Sequence, residues 1–168
     1  TDDWQSLMSG RFGVGVEGSD KERGLEAAWR VLSGQDSHND GFLRDEATLA
    51  IIFVSDENDC SHEGSLEEDA PGSRCYEYDE ALVPVTDYIE RFRSLKDGNA
   101  RVMASGILGP DVQAGCDETW PGHRYMTVAE NLDGIVGDIC ETEYGDVMDA
   151  IGSKIIAPAT IFPLRELP

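Results

Sequence analysis

A run of apolar residues ending in three acids is the part of this chain best suited to chemistry. Residues Ala50-Ile51-Ile52-Phe53-Val54 lead directly into Ser55-Asp56-Glu57-Asn58-Asp59-Cys60-Ser61. A short continuous apolar run reads as a strand buried on both faces, as in a parallel sheet. In open α/β sheets, ligands gather at the carboxyl ends of strands. Asp56, Glu57 and Asp59 stand at that end and form the candidate cation site. Their oxygens suit a hard divalent cation, Ca2+ or Mg2+. The competing reading is that Asp56 caps a backbone turn while Glu57 and Asp59 are solvated.

Other chemistry-bearing residues assemble less well. Ser55 and Ser61 flank the acids and His62 follows them, but sequence neighbours do not build a triad and no Gly-x-Ser-x-Gly elbow is present. A metal-dependent hydrolase is therefore the weakest of three functional readings, and no catalytic residue is assigned. Asp36, His38, Asp40 and Gly41 imitate the first half of a calcium-binding EF-hand loop. The twelfth position is Ala47, where that loop needs a bidentate Glu. The segment reads as a connection with His38 solvated, and His123 reads as a surface residue ahead of a helix.

Four cysteines, Cys60, Cys75, Cys116 and Cys140, contain no C-x-x-C pair, which argues against a zinc ribbon. Three pairings are open. Local order favours Cys60–Cys75 and Cys116–Cys140, each tying a polar loop to a regular element. Such bridges place the protein outside the cytoplasm: extracellular space, cell surface or periplasm. The alternative is four free thiols in a cytosolic protein.

The elements that would position these residues follow from periodicity. Residues 1–18 allow a helical turn over 4–9 and a weak strand over 11–17. Ser19 and Glu22 form a capping box for a helix over 20–33, with Leu25, Ala28, Trp29 and Leu32 on its apolar face. The central strand spans about 48–55. A long acidic loop, 56–79, then needs a pin. Pro84 opens a helix ending near 96–98, with Val85, Tyr88, Ile89, Phe92 and Leu95 inward. A second buried strand covers 101–108, a helix 123–132, a third strand 134–140 and a last helix 144–156. Residues 160–164 read as a terminal strand or tail. The alternation of helix and strand implies an α/β fold with a parallel sheet and crossover helices.

At 168 residues the chain is one ordinary domain, and 40% hydrophobic content excludes a disordered polymer. Its net charge of -21, from 34 acids against 13 bases, repels nucleic acid and anionic membrane. No apolar run approaches the roughly 20 residues needed to span a bilayer, so direct membrane insertion is not expected. No secretory signal opens the sequence; a leader removed earlier, or a start inside a longer precursor, would both fit.

Taken together, several segments resemble von Willebrand factor A-like domains, in particular those of bacterial secreted proteins and lipoproteins. Residues 49–61 resemble the fourth-strand region of that family. Residues 18–28 resemble the helix before it, 41–47 its lead-in, 85–96 the following helix, and 124–132 with 137–140 the closing helix and strand. The likeness covers about 12–164. It implies a Rossmann-like three-layer sheet, mainly parallel, bearing a metal-ion-dependent adhesion site fed by three loops. These are an Asp-x-Ser-x-Ser motif after the first strand, a Thr in the loop before the helix at 20–33, and an Asp after the fourth strand. Asp56 takes the third role.

The chain contains no Asp-x-Ser-x-Ser, and residues 14–18 contain no Thr. The expectation is therefore a single domain over 1–168 that is the C-terminal portion of a larger one, lacking the N-terminal strands. The other half would be cleaved and retained, or part of a longer chain; otherwise the site has been lost. A sheet ending at its central strand would expose a long apolar edge. Two non-enzymatic readings follow. One is a protein-binding or adhesion module with an incomplete metal site. The other is a disulfide-pinned assembly subunit whose sheet is completed by a second chain or by self-assembly.

Overall fold

The computed structural model describes residues 18–35, 37–66, 72, 74–77, 79–97, 101–111, 116 and 119–156. Expected elements within 1–17 and 160–164 lie outside these residues. Helix α1 (Gly24–Leu32) precedes strand β1 (Leu49–Ser55). A short helix α2 (Arg74–Glu77) and helix α3 (Val85–Arg93) follow, then β2 (Val102–Leu108), α4 (His123–Asn131), β3 (Val136–Asp138) and α5 (Gly145–Ile156). The three strands form one parallel sheet in the order β1-β2-β3. The fold is thus α/β with a small parallel sheet.

Register explains which residues form the core. Leu49 faces Val102 and Ser55 faces Leu108 in the β1–β2 ladder. Side chains alternate across a strand. Leu49, Ile51 and Phe53 accordingly point to one face, where they meet Leu25, Tyr88, Phe92, Tyr125 and Val128 from α1, α3 and α4. Phe53 lies 4.9 Å from Tyr125 and 6.5 Å from Phe92, ring centre to ring centre. Met103, Ser105 and Ile107 of β2 are buried on the opposite face. There α5 lies against β3, with Val147 packed onto Gly137. The same face of β1 is left open: Ile52 is 41% and Val54 64% exposed.

Among the described residues the outer edge of β1 is open as well. The Leu49 N–H donates to the Arg101 carbonyl at 2.8 Å, and the Ser55 carbonyl accepts from Gly109 N–H at 3.2 Å. Alternation then turns the backbone groups of Ala50, Ile52 and Val54 away from β2. No strand among the described residues pairs with them.

One local expectation is corrected. Helix α1 begins at Gly24 rather than near residue 20, and the Ser19–Glu22 capping box does not form. Ser19 Oγ instead accepts the Lys21 N–H, and Glu22 is drawn toward β1. Residues 37–47 hold a 3-10 turn at Ser37–Asn39 and a left-handed Gly41 and run into β1, in keeping with the reading of this segment as a connection.

Candidate functional site at the carboxyl edge of the sheet

The loop after β1 divides into residues that hold the fold and residues that face out. Helix N-termini carry unsatisfied N–H groups. Here the loop supplies their acceptors. Asp59 Oδ1 accepts from Leu25 N–H at 2.9 Å, and Ser61 Oγ accepts from Glu26 N–H at 2.9 Å. Asn58 Oδ1 accepts from Arg124 N–H at 3.0 Å. Three polar side chains of one loop therefore cap two helices that are distant in sequence.

Asp59 is fully buried and makes an ion pair with buried Arg124 at 3.1 Å. Its Oδ1 also accepts from Ser61 Oγ at 2.7 Å, and its Oδ2 from Ser61 N–H at 3.1 Å. A carboxylate has about four lone-pair sites, and four donors occupy them. Asp59 consequently has no lone pair left for a cation in this arrangement. Arg124 is fixed in turn by donating to the Val83 carbonyl at 2.7 Å.

Asp56 and Glu57 turn the other way. Asp56 is exposed and Glu57 half-buried. Glu22, from the segment leading into α1, joins them: its Oε2 accepts from Ser55 Oγ at 2.8 Å. Partial burial pushes the Glu57 carboxyl above its ordinary range, and Glu22, Asp56 and Asp20 push it further. The rim thus gathers negative charge around Glu57. Sequence reasoning missed Glu22, because a cap reading accounted for it locally. Among the described residues, no three His, Cys, Asp or Glu side chains converge as a metal-holding group. A cation at Asp56 would need donors beyond these.

The hydroxyls and histidines next to the acids have structural partners. Ser61 donates to Asp59, and Ser55 donates to Glu22. His62 Nδ1 accepts from the N–H groups of Gly64 (3.0 Å) and Leu66 (3.3 Å). Burial, with Arg23 and Lys21 nearby, holds the imidazole below its usual range, consistent with a ring that must stay neutral to accept. His123 is exposed beside Asp111.

Two disulfides, Cys60–Cys75 and Cys116–Cys140, match the expected local pairing. They bracket a feature the sequence did not disclose. Tyr76 follows Cys75, and Trp120 lies four residues past Cys116. The two rings meet at 5.1 Å above the acid rim. Tyr76 Oη accepts from Asn58 N–H at 3.3 Å, and Trp120 N–H donates to the Asp56 carbonyl at 2.7 Å. Gly109 permits this approach, since a Cβ there would lie 2.2 Å from the Trp120 carbonyl oxygen. No helix among the described residues is long and apolar enough to cross a membrane. No protein-family model, curated protein or solved structure matches the chain.

Proposed function

We propose that this chain is the part of a von Willebrand A-like protein-binding domain that follows the family's third strand, working outside the cytoplasm. In this reading β1, β2 and β3 are the fourth, fifth and sixth strands, and the open edge of β1 receives a further strand from elsewhere in the protein or from a second chain. The carrying observation is that edge. It belongs to a parallel sheet, its outward backbone groups lack a described partner, and Ile52 and Val54 beside it are exposed. An apolar strand left in this state is an invitation to pairing. The two disulfides support the compartment. The ligand surface is the carboxyl edge of the sheet. Asp56 is the cation-facing acid, supported by Glu57 and Glu22, and Ca2+ or Mg2+ binds there once the added strand contributes its own donors. Asp59 anchors the loop.

Amide exchange tests the edge. In the chain alone, the N–H groups of Ala50, Ile52 and Val54 exchange faster than those of Leu49, Ile51 and Phe53. Light scattering on the same sample reports whether a second copy has filled the edge. Slow exchange at all six positions in a monomer would overturn the open edge. Calorimetric titration with Ca2+, Mg2+ and Mn2+ tests the cation. Weak heat that is abolished by Asp56→Ala is expected, and heat indifferent to that change would remove Asp56 from the role.

A further inference from the structure

The Tyr76–Trp120 pair is an exposed aromatic platform, 38% and 53% accessible, whereas Phe53, Tyr88, Phe92 and Tyr125 are buried in the core. Its position is held at several points. Disulfides hold both loops, and hydrogen bonds tie Tyr76 to Asn58 and Trp120 to Asp56. Rigid, exposed tyrosine and tryptophan offer contact area at small cost in side-chain entropy, and they are over-represented where proteins meet.

The charge around the platform narrows the partner. Burial raises the ionisation of the Tyr76 hydroxyl above the ordinary range, and Glu57, Glu22 and Asp56 add to it in the same direction. Elsewhere in the molecule the chain supplies its own cation to aromatic rings: Arg91 lies 5.8 Å from the centre of Trp29 and 5.0 Å from that of Tyr88. Among the described residues no such cation covers Tyr76 or Trp120. The negative face of an aromatic ring attracts a guanidinium or ammonium group. The acids beside it add attraction of the same sign and repel an acidic segment.

We infer that the Tyr76–Trp120 platform, with Asp56, Glu57 and Glu22 at its margin, docks a basic polypeptide segment whose Arg or Lys side chains lie over the rings. The inference rests on the reading of the carboxyl edge as a protein-binding surface and names the chemistry of its partner.

The test uses the whole chain, labelled with 15N, and three short probes: Arg-Gly-Arg-Gly-Arg, its neutral citrulline counterpart, and Asp-Gly-Asp-Gly-Asp with Mn2+ present. The arginine peptide is expected to shift the signals of Asn58, Glu57, Tyr76 and the Trp120 indole, with the citrulline peptide at least tenfold weaker. Trp120→Ala should weaken the arginine peptide at least fivefold, while Trp120→Phe restores most of the affinity. The paired change Asp45→Asn and Glu46→Gln, before the amino end of β1, should alter it less than twofold. Shifts spread evenly over both ends of the sheet, or no effect of Trp120→Ala in a folded variant, would overturn the inference. So would binding of a neutral oligosaccharide such as maltohexaose at the same residues. If only the aspartate peptide binds, the edge remains a protein-binding surface and the basic partner falls. If neither peptide reaches it, both readings fall.

Discussion

Asp56 and Asp59 stand three residues apart and live under opposite electrostatic rules. Asp59 is buried, has four donors of which one is an arginine, and closes the end of a helix. Asp56 is exposed, and the acids beside it, Glu57 and Glu22, lie on the same rim. Burial of the first is tolerable only because Arg124 is buried with it; one charge without the other would be severely penalised. Among the described residues, no arginine or lysine makes an ion pair of this kind with the rim acids. The difference teaches that an acid-rich stretch is not one functional unit. Half of it builds the platform, and the other half is what the platform presents.

The sharpest way to break this contrast is to remove the buried charge. Asp59→Ala leaves the Arg124 guanidinium, the Leu25 N–H of α1 and the Ser61 N–H and hydroxyl without their acceptor, and about 3–5 kcal/mol of stability should be lost in urea unfolding. A loss under about 1 kcal/mol, the level of an exposed ion pair, would place Asp59 with the rim acids instead. Opening the bracket comes next. Replacing Cys60 and Cys75 by Ala removes a bridge with a sequence separation of 15, worth about 3 kcal/mol on the chain-entropy model. Loss of the Asn58–Tyr76 contact should be visible in the Tyr76 ring signals, and an unchanged ring environment would show that the bridge does not position it.

Acid sharpens the comparison with a smaller effect. The His62 ring is held below its usual pKa in the folded chain, so the stability it contributes is present above the unfolded value near 6.5 and is lost as pH falls through the lowered folded value. The His62→Gln variant should therefore show a flatter stability profile between pH 7 and 5 in thermal melts; an identical slope would contradict the acceptor role of Nδ1. The smallest effect belongs to the rim. The Glu57 carboxyl is raised, so its contribution is greatest below the unfolded value and disappears as pH rises through the folded one. Glu57→Gln should raise the melting temperature slightly at pH 7 and leave it unchanged near pH 4. A lower melting temperature at pH 7 would mean that the charge has a partner.

Much of the framework was legible. The apolar runs at 50–54 and 101–108 read as strands because parallel-sheet strands are apolar on both faces, although β1 leaves one of those faces open at Ile52 and Val54. The stripe Val85, Tyr88, Ile89, Phe92 read as a helix face from its 3.6-residue period. Nearest-neighbour pairing of the cysteines also followed from local order. The start of α1 did not, because its cap comes from Asp59 and Ser61, and local propensity contains no record of a contact 34 or 35 residues away. The split among Asp56, Glu57 and Asp59 was hidden for the same reason: Arg124 is 65 residues from its acid. The Tyr76–Trp120 pair left no periodic trace, since Tyr76 sits in the short helix α2 and Trp120 in a loop far from it in the sequence.

The capping of α1 by a loop beyond β1 also has a temporal consequence. A helix that closes its own first turn can form early and alone, whereas this nine-residue helix is too short to be stable by itself and borrows its end from a distant segment. Its formation is tied to the docking of residues 58–61, and so to the assembly of β1 with β2. Folding then proceeds through non-local contacts and is correspondingly slow. Until that knot closes, α1 frays and the apolar edge of β1 is unguarded on both sides, which makes the interval before Asp59 meets Arg124 the period of greatest exposure to aggregation.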